Sequence, residues 1–319
     1  MFAFYDLSTG QPVRIENATL QAFPDAEKPV WLHLTKPTEE ECATVSALAS
    51  IPPEHLHAAL DFHERPRAEF DDDIVLVVAR ASVPQSSLPT TGAPFATCPI
   101  AIILTRSLVV TVCLVEQAVE NLLNQKLMGK GERREERLVL SLLLRISTTF
   151  IKHLQIMNEQ LDAMELALHE SMHNKELVAM LHLEKGLIFF LTALKGNQAV
   201  LDKIRAKPPL PDCPECRALL DDVIIENKQA TDMAEIFSQV IGSISDAFAS
   251  IISNNLNKVM KLLTGLTIVF MIPTIIGGIY GMNVSLPMEN EPYAFVGLCG
   301  ICVTLSIAVF WFLRKKHWI

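Results

Sequence analysis

A chain of 319 residues can hold more than one domain, and 50% hydrophobic content with a mean hydropathy of +0.30 is rich for a protein wholly in water, so either the core is unusually large or part of the chain lives in lipid. The formal net charge of -9 argues against nucleic acid, whose phosphates require clustered Lys and Arg, and makes cations the natural partner. Seven scattered cysteines speak against a secreted disulfide framework, and Asp6 arrives before any signal-like apolar run, so a cytosolic body inserted through later segments is expected.

Residues 1–120 alternate apolar runs with turn-formers and read as a cytosolic α/β domain. The Val-, Ile- and Leu-rich runs at 29–34, 74–81 and 100–112 predict strands. Residues 37–62 predict a helix, with Thr38 as a cap before Glu39, Glu40 and Glu41. Towards its end and just beyond it, His55, His57, Asp61, His63 and Glu64 read as a solvated helix surface. The competing reading is a softer metal such as zinc, which imidazole suits better than magnesium.

Residues 121–256 read as a cytosolic helical stalk region. From 132 to 207 the sequence is helical in texture, without proline and with only Gly186 and Gly196, until Pro208, Pro209, Pro211 and Pro214 break it. Cys213-Pro214-Glu215-Cys216 has zinc-knuckle spacing but no second pair, and predicts a loop with two free thiols. From Glu215 to Tyr280 the sole proline is Pro273, so one helix is expected to run from cytosol into membrane, a rod on the order of 100 Å at 1.5 Å per residue.

Residues 257–319 read as a transmembrane pore domain with spans at about 262–281 and 293–313. No charge falls between Leu262 and Met288, and none between Tyr293 and Leu313, after which Arg314, Lys315 and Lys316 with Trp318 form a basic and aromatic anchor. Lys258 and Lys261 precede the first span, while the connecting loop carries Glu289 and Glu291. The positive-inside rule then puts both termini in the cytosol of a multi-pass protein of the plasma (inner) membrane. The alternative is a buried helical hairpin of a soluble protein. Cys299 and Cys302, inside the second span, predict packing residues.

Asn257, Met260, Thr264, Thr267, Met271, Thr274, Gly278 and Gly281 recur at alternating spacings of three and four, one face of a helix, with bulky apolar residues such as Leu266, Ile268 and Ile279 off that face. Continued backwards it reads Ser253, Ser250, Asp246, Ser243 and Gln239, beside an apolar seam of Phe237, Ile241, Ile244, Phe248 and Ile251. Lipid penalises the amide and hydroxyls, so the stripe should face protein or water. One account is a ring of copies lining a wet path, since two spans cannot enclose a pore alone. The other is a tight helix dimer in which Gly277, Gly278 and Gly281 permit close approach.

At the outer end of the first span stands Gly281-Met282-Asn283, and with Asn257, Val259-Met260-Lys261, Leu263-Thr264, Pro273-Thr274, the basic tail, His63, Arg65-Pro66 and Glu69-Phe70 the chain resembles the CorA family of magnesium transporters over most of its length. The resemblance implies a funnel-shaped homopentamer with an α/β domain and stalk helices in the cytosol, the first span lining the pore and the second outside it. It implies a selectivity filter at Gly281, Met282 and Asn283, with Asn283 binding the ion through its water shell. Pore-lining positions would be Thr274, Met271, Leu263, Met260 and Asn257, with Asp246 an acidic ring at the cytosolic end; Thr267 and Thr264 join them from the stripe. Asp222 matches the stalk half of a regulatory metal site, but His57-Ala58 stands where its acidic partner is expected, leaving Asp61 or Asp221 as other ligands.

The resemblance implies influx of Mg2+, with Co2+ as a second ion, without a cofactor; Glu289 and Glu291 either concentrate cations at the mouth or are solvated loop acids. A divalent ion gains roughly 4 to 5 kcal/mol per 100 mV of inside-negative potential, so ATP is not required. Met282 favours the magnesium branch over a zinc transporter on the same scaffold. A non-conducting membrane-anchored metal sensor is the alternative from another class. An enzyme is not indicated, as no phosphate-binding glycine loop or nucleophile motif is present.

Overall fold

The computed structural model describes residues 2–7, 13–15, 30–71, 73–85, 92–106, 108–116, 118, 133–170, 174–207, 213–284, 293–316 and 318. They form two compact units, Met1–Gly242 and Ser243–Ile319.

The first unit is built on a seven-stranded sheet of β1 (Phe2–Asp6), β2 (Val13–Arg14), β3 (Val30–Thr35), β4 (Arg67–Phe70), β5 (Val75–Pro84), β6 (Phe95–Leu104) and β7 (Leu108–Cys113) in the order β2-β1-β3-β7-β6-β5-β4. Only β3 and β7 pair in parallel; the remaining neighbours are antiparallel. The continuous Val, Ile and Leu runs of β3, β6 and β7 are buried at every position, as strands covered on both faces must be. One face carries α1 (Glu39–Ala49) and α2 (Pro53–His57), joined in a core with Leu32, Leu34, Val45, Leu56, Ile103 and Val110. Against the other lie α3 (Arg134–Glu170) and α4 (Asn174–Ala206), where Phe150 meets Phe190 edge-on at 4.9 Å.

Three local expectations change. The run 100–112 is two strands, because Thr105 closes a tight turn: its N–H donates to the Leu108 carbonyl (2.9 Å) and its Oγ1 accepts from the Leu108 N–H (3.2 Å). The helix at 37–62 is two short helices. Thr38 caps the first in a reciprocal capping box with Glu41, but Ser50 turns left-handed at φ 52° and Pro52-Pro53 forces a new start. The pair Cys213 and Cys216 forms a disulfide, not two free thiols. Pro214 at the head of α5 (Pro214–Tyr280) begins the helix at once, and one helical turn brings the two Cα atoms to 5.2 Å.

Helix α5 belongs to both units as a single helix of 67 residues. Its first turns are fixed to α4 by Asn227, which is fully buried and donates from Nδ2 to the Leu194 carbonyl (3.2 Å) and Gln198 Oε1 (3.0 Å). Ion pairs Arg137–Glu215, Lys195–Glu235 and Arg205–Asp221 flank that contact. In the second unit the rest of α5 is joined by α6 (Ala294–Lys315).

A buried polar row crosses β3 and β7: Trp31 Nε1 donates to Thr111 Oγ1 (2.9 Å), which also meets His33 Nδ1 (2.8 Å), while His33 Nε2 meets Thr35 Oγ1 (2.9 Å). Desolvation lowers the His33 imidazole from 6.5 to about 4, and lowers His153, stacked on Phe95 and bonded to Ser82, from 6.5 to about 4. The unfolded chain therefore binds protons that the folded chain refuses between these values. Stability should be full above pH 6.5, fall by on the order of a few kcal/mol per histidine as pH drops towards about 4, and level off below. Urea midpoints against pH, read by Trp31 fluorescence with Trp311 and Trp318 replaced by Phe, should show this, and His33→Gln should remove about half of the slope, leaving the share of His153.

Gly196 on α4 faces the loop before β4, where an added Cβ would lie 2.8 Å from Pro66 Cγ. A helix-interior Gly→Ala change ordinarily gains up to about 1 kcal/mol. Here the rigid ring cannot give, so Gly196→Ala should destabilise by roughly 1–3 kcal/mol in the same urea assay.

Candidate ion-conduction site

Helices α5 and α6 are each long and apolar enough to cross a membrane. Their least exposed positions form one stripe apiece, Gly265, Val269, Ile272 and Ile276 on α5 and Leu298, Cys302, Ser306, Val309 and Leu313 on α6. Spacings of three and four place these residues on one face of each helix, a seam at which the small residues Gly265 and Ser306 fall. Cys302 thus lies on the seam, whereas Cys299 is exposed.

The polar stripe lies on the far side of α5. Asn257, Met260, Thr264, Thr267, Met271, Thr274, Gly278 and Gly281 are all exposed, and their mean direction is roughly 150° from the seam at 3.6 residues per turn. Leu263 is exposed at the edge of the stripe, and Asp246, Ser250 and Ser253 continue it. Of the apolar seam beside that extension, Ile241 and Phe248 are buried. Thr267 Oγ1 donates to the Leu263 carbonyl (2.8 Å) and Thr274 Oγ1 to the Phe270 carbonyl (3.0 Å). Each hydroxyl proton is thereby committed to its own helix, so what faces outward is an oxygen lone pair. At these two positions the stripe presents acceptors.

Helix α5 ends at Tyr280, where the N–H of Gly281 donates to the Gly277 carbonyl (2.9 Å) and that of Met282 to the Ile279 carbonyl (3.2 Å). A Cβ at Gly281 would press to 3.2 Å on the Gly277 carbonyl, which accounts for glycine there. Met282 and Asn283 follow in exposed turn structure just beyond the helix. Glu289 and Glu291 lie outside the described residues. At the other end, Arg314 and Lys315 close α6, Lys316 caps it, and Lys315 Nζ stands 5.4 Å over the Trp311 ring.

The regulatory candidates are dispersed. Asp222 is exposed on α5, and Asp221 pairs with Arg205 at 3.3 Å. Asp61 Oδ1 accepts from the His63 N–H, His57 pairs with Glu39 at 3.0 Å, His55 with Glu69 at 3.6 Å, and Glu64 with Arg67. Among the described residues no group of three or more His, Cys, Asp or Glu side chains is arranged to hold a metal ion. The seam around Gly265 had no place in the sequence reading; its trace there is a small residue at the head of a 265, 269, 272, 276 series inside an otherwise bulky span.

A profile of the family described as CorA-like Mg2+ transporter protein matches residues 26–315. The chain is 26% identical over 296 residues to the cobalt/magnesium transport protein CorA of Methanocaldococcus jannaschii, covering 91% of each. It is 24% identical over 310 residues to the protein of the same name from Thermotoga maritima, covering 93% of this chain and 85% of that one. The complete structure of the CorA magnesium transporter from M. jannaschii superposes with a TM-score of 0.85 at 24% identity, over 100% of this chain and 99% of the other.

If the stripe faces water, single cysteines on it will be accessible. With Cys299 and Cys302 removed, Thr267→Cys and Thr274→Cys should react with a membrane-impermeant thiol reagent at least about tenfold faster than Leu266→Cys and Ile279→Cys on the flanks. Equal rates would turn the stripe to lipid.

Proposed function

The chain belongs to the CorA-like Mg2+ transporter family, and on that premise we propose that it conducts Mg2+, and with it Co2+, through a homopentamer whose path is lined by the outward stripe of α5. The observation that carries the reading is the joint one of a family match from 26 to 315 and an acceptor-bearing face turned away from the α6 seam. Mg2+ releases its waters reluctantly, so the pore must handle an ion whose outer surface is a shell of O–H donors. Lone pairs on Thr264, Thr267 and Thr274 accept from such a shell without stripping it. So does the carboxamide oxygen of Asn283, at the mouth formed by Gly281, Met282 and Asn283.

Met260, Leu263 and Met271 supply the apolar narrowing that closes the path by excluding water. Asn257 and Asp246 receive the ion on the cytosolic side. The inside-negative potential drives entry. Both termini lie in the cytosol of the inner membrane, held by Lys258 and Lys261 before α5 enters and by Arg314, Lys315 and Lys316 after α6 leaves. Glu289 and Glu291 gather cations outside. Asp222 is the stalk half of an internal Mg2+ sensor weakened by Ala58, where an acidic partner is expected.

Flux into proteoliposomes under an inside-negative potential tests the assignment with Mg2+, Co2+ and Zn2+ in parallel. Uptake of Mg2+ and Co2+ well above Zn2+ is expected, with Asn283→Ala lowering Mg2+ flux or its preference over Zn2+ by about tenfold. Zn2+ as the best substrate would make this a zinc carrier, and Asn283→Ala with unchanged flux and preference would refute the filter. In the same vesicles, Mg2+ loaded inside should slow uptake only weakly, and Asp222→Ala should remove what slowing there is.

A further inference from the structure

The first unit contains a cavity of about 690 Å3 between the loop before β4, strands β5 and β6, and α4. That volume is in the range of small-molecule sites, and Phe62, Pro66, Ala193 and Phe189 make most of its wall apolar. One wall is the half-buried guanidinium of Arg80. It donates from Nε to Thr97 Oγ1 (3.1 Å), from Nη2 to the Thr97 carbonyl (2.8 Å), and from Nη1 to the carbonyls of Phe62 (3.1 Å) and Glu64 (2.9 Å). Its Cζ also stands 5.7 Å from the Phe62 ring centroid.

All four acceptors are neutral. Among the described residues no carboxylate bonds this guanidinium, although it holds a full positive charge out of bulk water, and one Nη2 hydrogen remains after the four bonds. The other charges at the cavity do not cancel it. Arg65 adds a second positive charge, while the Glu64 carboxylate is already taken by Arg67. Asp61, which attracts Arg80 from a distance, is exposed and accepts from the His63 N–H.

The positive group is also held still. Asn197 on α4 brackets the Arg80 backbone, accepting from its N–H at Oδ1 (2.9 Å) and donating from Nδ2 to its carbonyl (2.8 Å), and the Gly196–Pro66 contact pins the loop to the same helix. A fixed cation without a counter-charge, at the side of an apolar chamber flanked by two phenyl rings, complements one chemistry. We infer that this cavity binds an amphipathic organic anion, a carboxylate on an aromatic or aliphatic body. The body lies against Phe62 and Phe189, and the carboxylate accepts from Arg80 in a charge-assisted hydrogen bond.

The test is equilibrium dialysis of labelled naphthalene-2-carboxylate against the assembled full-length protein in phosphatidylcholine nanodiscs, with empty nanodiscs subtracted. Saturable binding near one per chain is expected. Naphthalene-2-carboxamide, equal in shape but uncharged, should bind at least about tenfold more weakly. Arg80 makes too many bonds for its replacement to be decisive alone, so the second arm is Thr192→Trp. Thr192 is exposed on α4 at the cavity wall, and an indole there fills the space without touching the bonds of Arg80. Loss of binding with an unchanged melting temperature supports the site. Equal affinity for the amide, binding that survives Thr192→Trp, or no saturable binding by the assembled protein overturns it, the last leaving a neighbouring copy as what covers this face.

Discussion

A chain that leaves water for hydrocarbon must take its backbone hydrogen bonds with it, because lipid offers none. Helix α5 meets this demand by never stopping: 67 residues run from Pro214 at the edge of the α/β body to Tyr280. The one internal proline, Pro273, removes a single donor without ending the helix. Continuity also gives every residue of the membrane part of α5 a place on one periodic surface. Without that single ladder the stripe, the seam and the terminal Gly281-Met282-Asn283 turn would have no common reference.

The local bonds of Thr267 and Thr274 make these two side chains weak marks of a wet face. A threonine whose proton is given to its own helix is tolerable in lipid, and Thr304 of α6, exposed and bonded to the Gly300 carbonyl in the same way, illustrates it. The threonines therefore permit a pore without demanding one. Asn257 and Asp246 demand more, since neither can be satisfied by a carbonyl one turn back. They stand on the same face, towards the end of the helix that carries Lys258 and Lys261. Polarity on that face thus rises as the helix approaches the body.

Long periodic segments were legible from the residues; places where one side chain decides the backbone were not. The spans, the stripe and the unbroken stretch to Tyr280 follow from charge-free length and spacing, properties averaged over many residues. By contrast, a single threonine hydroxyl at Thr105 turns one apolar run into β6 and β7, and Ser50 with Pro52-Pro53 divides α1 from α2. The strands β1, β2 and β4 are short, β2 and β4 stand at the sheet edges, and the burial of β1 and β4 is partial, so they carry little apolar pattern. Cys213 and Cys216 are the reverse case: their spacing is legible, but proline ends and opens helices alike, and here Pro214 opens one. Of the conduction site, the chemistry of each position was readable, and the seam that orients the face emerged only with Gly265 and Ser306 in place.

The fully buried amide of Asn227 carries a geometric corollary. Because both its protons are spent on α4, α5 cannot rotate about its own axis at that point. Angular phase accumulates at roughly 100° per residue along α5, so one extra residue between the buried Val223 and Asn227 would turn the amide by more than a quarter turn away from the Leu194 carbonyl and Gln198. Seven extra residues, about two full turns, would bring it back to within roughly 20°.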